Sequence, residues 1–183
     1  MGNGKEKQTF DLRRSIWEWV ESIAVSLTVL ILLFTFVFKI VGISGSSMEH
    51  TLHENDRVIA FSLFYTPAQG DIVVVNQPNE FGKPIIKRVI ATENQEVDIN
   101  FDTGEVFVDG VLLDEPYLST PTTLEGSVSF PVTVEKGKVF VMGDNRQHST
   151  DSRHTMIGQI DTRYILGKAI VRIYPFDQIG LLN

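Results

Sequence analysis

Pro84-Ile-Ile-Lys-Arg-Val-Ile-Ala-Thr92 is the stretch whose reading sets the fold class. It is short, rich in β-branched residues and preceded by the turn former Gly82, which is the pattern of a strand and not of a helix. A period of two places Ile85, Lys87 and Val89 on one face and Ile86, Arg88 and Ile90 on the other. Outward from it, Arg57–Ser62, Asp71–Asn76, Glu96–Asn100, Glu105–Val108, Val111–Leu113, Lys138–Met142 and Ile165–Ile173 carry the same signal. Pro67, Gly70, Pro78 and Gly82 punctuate the earlier runs, and Asp109-Gly110 predicts a two-residue hairpin. Asp151–Gly158 predicts a short helical turn. Leu113–Val134, with its prolines and many Ser and Thr residues, predicts a long loop or an inserted ribbon. The body is therefore expected to be mainly β, as antiparallel sheets or a distorted barrel.

The N-terminal part follows a different rule. Ser22 to Phe38 (SIAVSLTVLILLFTFVF) is 17 residues without a charge, and beyond Lys39 the apolar run continues through Ile40-Val41-Gly42-Ile43. About 20 such residues cross a bilayer as a helix. Trp17 and Trp19 stand at its leading end, as interfacial aromatics do, and the basic residues ahead of it outnumber the lone Lys39 behind it. A secretory signal peptide has a shorter apolar region, and a core helix has one apolar face where this segment is apolar all round. The predicted organisation is a cytoplasmic segment over 1–15, a transmembrane anchor helix over 16–41 and an extracytoplasmic β-domain over 42–183.

Composition narrows the function. Residues 1–43 carry +1, so residues 44–183 carry −8 of the chain's −7. An acidic body without a basic stripe argues against nucleic acid as a partner. There is no cysteine, which excludes disulfides and thiolate metal sites. His50, His53, His148 and His154 form no metal-binding pattern, and nothing in the sequence demands a metal or another cofactor.

Three segments hold candidate chemistry. Gly45-Ser46-Ser47-Met48-Glu49-His50-Thr51-Leu52 offers serines on a turn that Gly45 lets close tightly, with Met48 and Leu52 available to pack it. A hydroxyl needs a base. No Gly-x-Ser-x-Gly elbow is present, and His148 and Asp151 stand too close in sequence for a serine–histidine–aspartate arrangement. The other base is a lysine that burial has stripped of its proton. Lys87 fits, because it shares a face with branched aliphatics. The competing reading is a lysine that guards an edge strand, and the pattern alone does not choose between them. Gly143-Asp144-Asn145-Arg146-Gln147-His148-Ser149-Thr150-Asp151-Ser152-Arg153 follows an apolar strand and concentrates charges and serines. It suggests an ion-paired, hydrogen-bonded loop, against a plain polar surface loop.

Together these segments resemble the type I signal peptidases, serine peptidases of the serine–lysine type, in the single-span form typical of Gram-positive bacteria. The resemblance is carried by Gly45-x-Ser47-Met48-x-x-Thr51-Leu52, Gly70-Asp71-Ile72-Val73-Val74, Lys87-Arg88-Val89-Ile90 and Gly143-Asp144-Asn145-Arg146 with Ser149 and Asp151-Ser152-Arg153. It implies that Ser47 is the nucleophile, Lys87 the general base, and Ser149 the group that orients Lys87. Asp151, with Arg88, Arg153 or Arg146, and Asp144 would brace the site, and Met48 and Gly45 would lie at the substrate-binding surface. The Ser47 N–H would be one oxyanion donor. Gly45 stands where the family can place a second, a serine hydroxyl. His50 stands where the family usually has proline, and Ala91–Gln95 replaces a glycine-containing turn. The implied partners are preproteins bearing signal peptides, cleaved after small residues through an acyl-enzyme, together with the lipid bilayer and proximity to the secretion translocon. Two rival readings are a self-cleaving serine–lysine relative of LexA-like repressors, which would carry a DNA-binding domain, and a non-enzymatic or degenerate membrane-anchored β-domain for binding or assembly.

Overall fold

A computed structural model of the chain describes residues 12–76 and 82–182. Most of the expected cytoplasmic segment, residues 1–11, and the turn residue Pro78 lie outside these. The chain divides into two units, one ending at Val37 and one from Phe38 onward.

In the first unit, α1 spans Leu12–Phe36, and its 25 residues give a length of about 37 Å at 1.5 Å per residue. It is long and apolar enough to cross a membrane. Thr28 and Thr35 donate their hydroxyls to the carbonyls of Ala24 and Ile31 one turn back, so neither leaves a polar group bare on an apolar helix.

The helix ends at Phe36 and not at the expected Val41. Phe38–Gly42 forms strand β1 instead, paired antiparallel with β2 (Arg57–Phe61) from Phe38↔Phe61 to Gly42↔Arg57. Ile40 and Val41 are β-branched and favour the strand. An apolar run looks the same whether its second part is helix or sheet, which is why hydropathy carried the helix too far.

The second unit is mainly β, as expected. β3 (Ile72–Val75), β4 (Ile85–Ala91), β9 (Lys138–Met142), β10 (Ile160–Asp161), β11 (Ile165–Tyr174) and β12 (Gly180–Leu181) join β1 and β2 in one antiparallel sheet of order β1-β2-β11-β3-β4-β9-β10, with β12 on β11. Register shifts in β11 and in the β4–β9 pair mark bulges that curl the sheet. A smaller sheet has the order β7-β6-β5-β8, from β5 (Glu96–Asn100), β6 (Glu105–Val108), β7 (Val111–Leu112) and β8 (Val132–Thr133). Asp109 and Gly110 both take positive φ, 53° and 76°, which is the turn their sequence predicts. Residues 113–134 are a long loop with one short strand, Val132–Thr133, paired with β5, and further backbone bonds from Thr122 to Gly104 and from Val128 to Arg153. The helical turn expected over Asp151–Gly158 is a series of tight turns, and a short 3-10 helix falls at Arg146–His148 instead.

Three apolar clusters hold this unit. Ile43, Met48, Leu52, Val58, Ile72, Val74 and Ile86 fill one, and Val73, Val75, Val89, Val139 and Val141 anchor the second. The third joins the two sheets through Ile90, Val97, Val106, Phe140 and Met142. β4 lies between β3 and β9, inside the sheet. The edge-strand reading of Lys87 therefore does not hold.

Candidate active site

β4 delivers Lys87 into the interior. Its neighbours in register are β-branched, with Val73 directly opposite on β3, and the residue is 4% exposed. Its Nζ donates to Ser47 Oγ at 2.7 Å and to the Ile86 carbonyl at 3.1 Å. Burial pushes the Lys87 amine down to about 8, against a smaller opposing pull from Asp151 and Asp144 and a push in the same direction from Arg153. Desolvation disfavours the ammonium more than the nearby carboxylates support it. With the amine neutral, the same contact runs from hydroxyl to amine, which is the polarity that proton abstraction needs.

Ser47 is held from both sides of its turn. Gly45 takes φ +89°, and Met48 and Leu52 are buried in the first apolar cluster. Met48 is expected at the substrate-binding surface, but at 1% exposure it packs the turn from beneath. Neither it nor Gly45 is among the residues lining the cleft at Ser47. On the other side, the Asn145 N–H donates to the Ser47 carbonyl at 3.0 Å and the Asn145 amide donates to the Ser46 carbonyl at 3.1 Å. The approach is close enough to need glycine. A Cβ on Gly143 would lie 2.3 Å from Ser149 Oγ and 2.4 Å from the Ser47 carbonyl.

The polar loop resolves into separate ion pairs. Arg88 forms a fork on Asp144 (Nε–Oδ1 2.9 Å, Nη2–Oδ2 2.8 Å) and reaches the Gly70 carbonyl at 2.7 Å. Thr51 donates to Asp144 at 2.5 Å, tying the serine turn to the same carboxylate. Arg153 forms a fork on Asp151 (2.9 and 3.0 Å), and the Gly143 N–H donates to Asp151 at 3.0 Å. Burial works to raise the Asp151 carboxyl, but Arg153 and the Gly143 N–H outweigh it and hold it below the usual carboxylate range. Arg146 does not brace Asp151. It pairs with Glu115 and donates to Thr122. All these charged groups are buried, and charge-assisted forks are what make such burial tolerable. Ser149 is also buried; its hydroxyl makes no hydrogen bond to Lys87, whose amine meets Ser47 and the Ile86 carbonyl, and it lies near enough to Asp151 to help hold that carboxyl down.

Three contributors escaped the sequence reading. Glu115 and Thr122 are partners of Arg146, and Tyr117 lies over Arg88 with its ring centroid 3.9 Å from the guanidinium carbon. All three come from the 113–134 loop, where no periodicity signals their role. Tyr117 is pushed up from its ordinary range, by burial first and by Glu115 next.

The cleft at Ser47 and Lys87 holds about 70 Å³ and lies between Val41–Ser44 on one wall and Lys83–Lys87 on the other. A roomier cavity of about 530 Å³, lined by Tyr65, Glu93, Lys138 and Arg163 among others, contains neither Ser47 nor Lys87. Among the described residues no three His, Asp or Glu side chains gather where they could hold a metal ion.

Residues 16–174 match the family model described as signal peptidase, peptidase S26. The chain is 32% identical to a signal peptidase I of Bacillus licheniformis, over 95% of this chain and 97% of the relative. It is 37% identical to a probable signal peptidase I-2 of a Synechocystis species, over 90% of this chain and 78% of the relative. A crystal structure of a signal peptidase I from Enterococcus faecalis is similar at 30% identity and a TM-score of 0.45, covering 57% of this chain and 97% of that one.

Two stability effects follow from this packing. Gly143→Ala is expected to cost about 1–3 kcal/mol in denaturant unfolding, the range for forcing an extra methyl into a filled interior. Glu115→Ala, which strands the buried Arg146, is expected to cost about 3–5 kcal/mol by the same measurement.

Proposed function

The chain belongs to the signal peptidase family, peptidase S26, and from that premise we propose that it is a membrane-bound serine endopeptidase that removes signal peptides from preproteins with a Ser47–Lys87 dyad. The observation that carries the site assignment is the 2.7 Å contact between Ser47 Oγ and Lys87, whose amine burial pushes down to about 8.

In the proposed reaction the neutral Lys87 amine takes the Ser47 proton as Oγ attacks the carbonyl of the last signal-peptide residue. The developing oxyanion faces the Ser47 N–H as one donor. Lys87 then returns the proton to the leaving amine, the peptide bond breaks and the acyl-enzyme forms. Water, deprotonated by Lys87, hydrolyses the ester and restores Ser47. Asp144 and Asp151 act through their arginines, which keep both carboxylates occupied and the loop behind Ser47 fixed. A cleft of about 70 Å³ supports selection of small side chains next to the scissile bond, because a larger side chain has no volume to enter.

We further propose that α1 is a membrane anchor with its N-terminus cytoplasmic, supported by Lys5, Lys7, Arg13 and Arg14 ahead of the span. The β body from Phe38 is then extracytoplasmic, near lipid and the secretion translocon. Exposed Ile40, Tyr174, Phe176, Ile179 and Leu181, all on or beside β1, β11 and β12, support contact with a bilayer surface. Substrate and enzyme sharing one membrane raises their effective concentration.

Cleavage of a preprotein in detergent or liposomes tests the dyad. Ser47→Ala and Lys87→Ala are expected to lower the rate by at least about 10²–10⁴-fold, while exposed His148→Ala keeps it. Retained activity in Lys87→Ala would sink the assignment. The wild-type rate is expected to rise with pH through a midpoint near 8 as Lys87 loses its proton, and to level off above that. A profile flat from neutral to alkaline pH would contradict lysine as the base.

A further inference from the structure

Asn145 grips the serine turn with two bonds that the proton transfer does not use. Its side-chain amide donates to the Ser46 carbonyl at 3.1 Å, and its backbone N–H donates to the Ser47 carbonyl at 3.0 Å. The Ser46–Ser47 peptide is trans, so the Ser46 carbonyl and the Ser47 N–H point in opposite directions within one rigid plane. A donor that holds the carbonyl therefore also sets the direction of the N–H. The Glu49 N–H donates to the same carbonyl at 3.1 Å. Two donors thus polarise this peptide, which strengthens its N–H as a donor on the opposite side. Among the described residues no acceptor takes the Ser47 N–H. Asn145 is not among the residues lining the cleft, so it works from behind the turn. Both of its chain neighbours are pinned, Asp144 by Arg88 and Arg146 by Glu115.

We propose that Asn145 is a positioning residue for the oxyanion: its side chain holds the Ser46–Ser47 peptide plane so that the Ser47 N–H meets the charge developing on the scissile carbonyl oxygen. The inference rests on the Ser47–Lys87 reading and adds to it a residue that serves the oxyanion and not the base. Gly45 raises the stake. It has no hydroxyl to share the oxyanion, so the direction of the one N–H matters more. A donor stabilises a transition state most when its direction is fixed beforehand. Any substitution of Asn145 other than proline keeps the backbone N–H that meets the Ser47 carbonyl, so a side-chain variant tests the bond to Ser46 alone.

The test compares wild type, Asn145→Ala and the near-isosteric Asn145→Leu, as full chains in detergent micelles cleaving one preprotein. Both variants lose the donor to Ser46 without adding a charge. Both are expected to lower kcat about three- to tenfold with KM unchanged, the net worth of one hydrogen bond expressed as a rate. The midpoint of the pH–rate profile should stay near 8, because Lys87 is untouched. A short peptide aldehyde ending in alanine gives the second readout. Ser47 Oγ adds to its carbonyl carbon, the hydroxyl proton passes to Lys87, and the former carbonyl oxygen becomes an oxyanion. Aldehyde affinity is expected to weaken in both variants by the same factor as kcat. Affinity for the matching peptide alcohol, which forms no oxyanion, is expected to hold. If both variants keep the wild-type kcat, lose rate with aldehyde affinity intact, or shift the pH midpoint, Asn145 is only a clasp on the loop and the inference fails. Cleavage that survives Ser47→Ala or Lys87→Ala is a different result, which overturns the dyad and this inference with it.

Discussion

The site depends on the burial of one amine that has no counter-ion of its own. Lys87 is enclosed, and each carboxylate near it is already claimed: Asp144 by Arg88 and Asp151 by Arg153. A carboxylate left free beside Lys87 would hold the ammonium charged. Because the arginines take the carboxylates, desolvation prevails and the proton is loosely held at the atom that touches Ser47. The forks also fix position. Asp144 accepts from Thr51 on the serine turn and from Arg88 beside Lys87, so one carboxylate ties the turn of Ser47 to the strand of Lys87.

Much of this was legible in the sequence. Alternation in Pro84–Thr92 places Lys87 among aliphatics, and the density of charges after the strand Lys138–Met142 marks a braced loop. The β class and the Asp109-Gly110 hairpin followed from local patterns, because a turn type or a strand face is decided within a few residues. What stayed hidden is decided over longer distances. Pattern could not separate a buried lysine from an edge lysine, since neighbour order in the sheet settles that. Nor could it pair Arg146 with Glu115, 31 residues earlier. The Leu113–Val134 loop reads as soft polar sequence, yet it supplies Glu115, Tyr117 and Thr122 to the brace. The change from helix to strand after Phe36 was hidden because both elements are apolar there.

The same economy governs the substrate side. The cleft beside Ser47 and Lys87 is narrow, about 70 Å³, and in the proposed reaction that volume would select small residues next to the scissile bond. The exposed apolar side chains on β1, β11 and β12 fit the proposal that the body works against a lipid surface, where a lower dielectric further favours a neutral lysine.

The most direct measurement is the titration of Lys87 itself, followed by the NMR shift of its Cε in the full chain in detergent micelles and assigned by its absence from Lys87→Arg. A midpoint near 8 is expected, and a midpoint near 10.5, the ordinary value for lysine, would contradict a buried, loosely protonated Lys87.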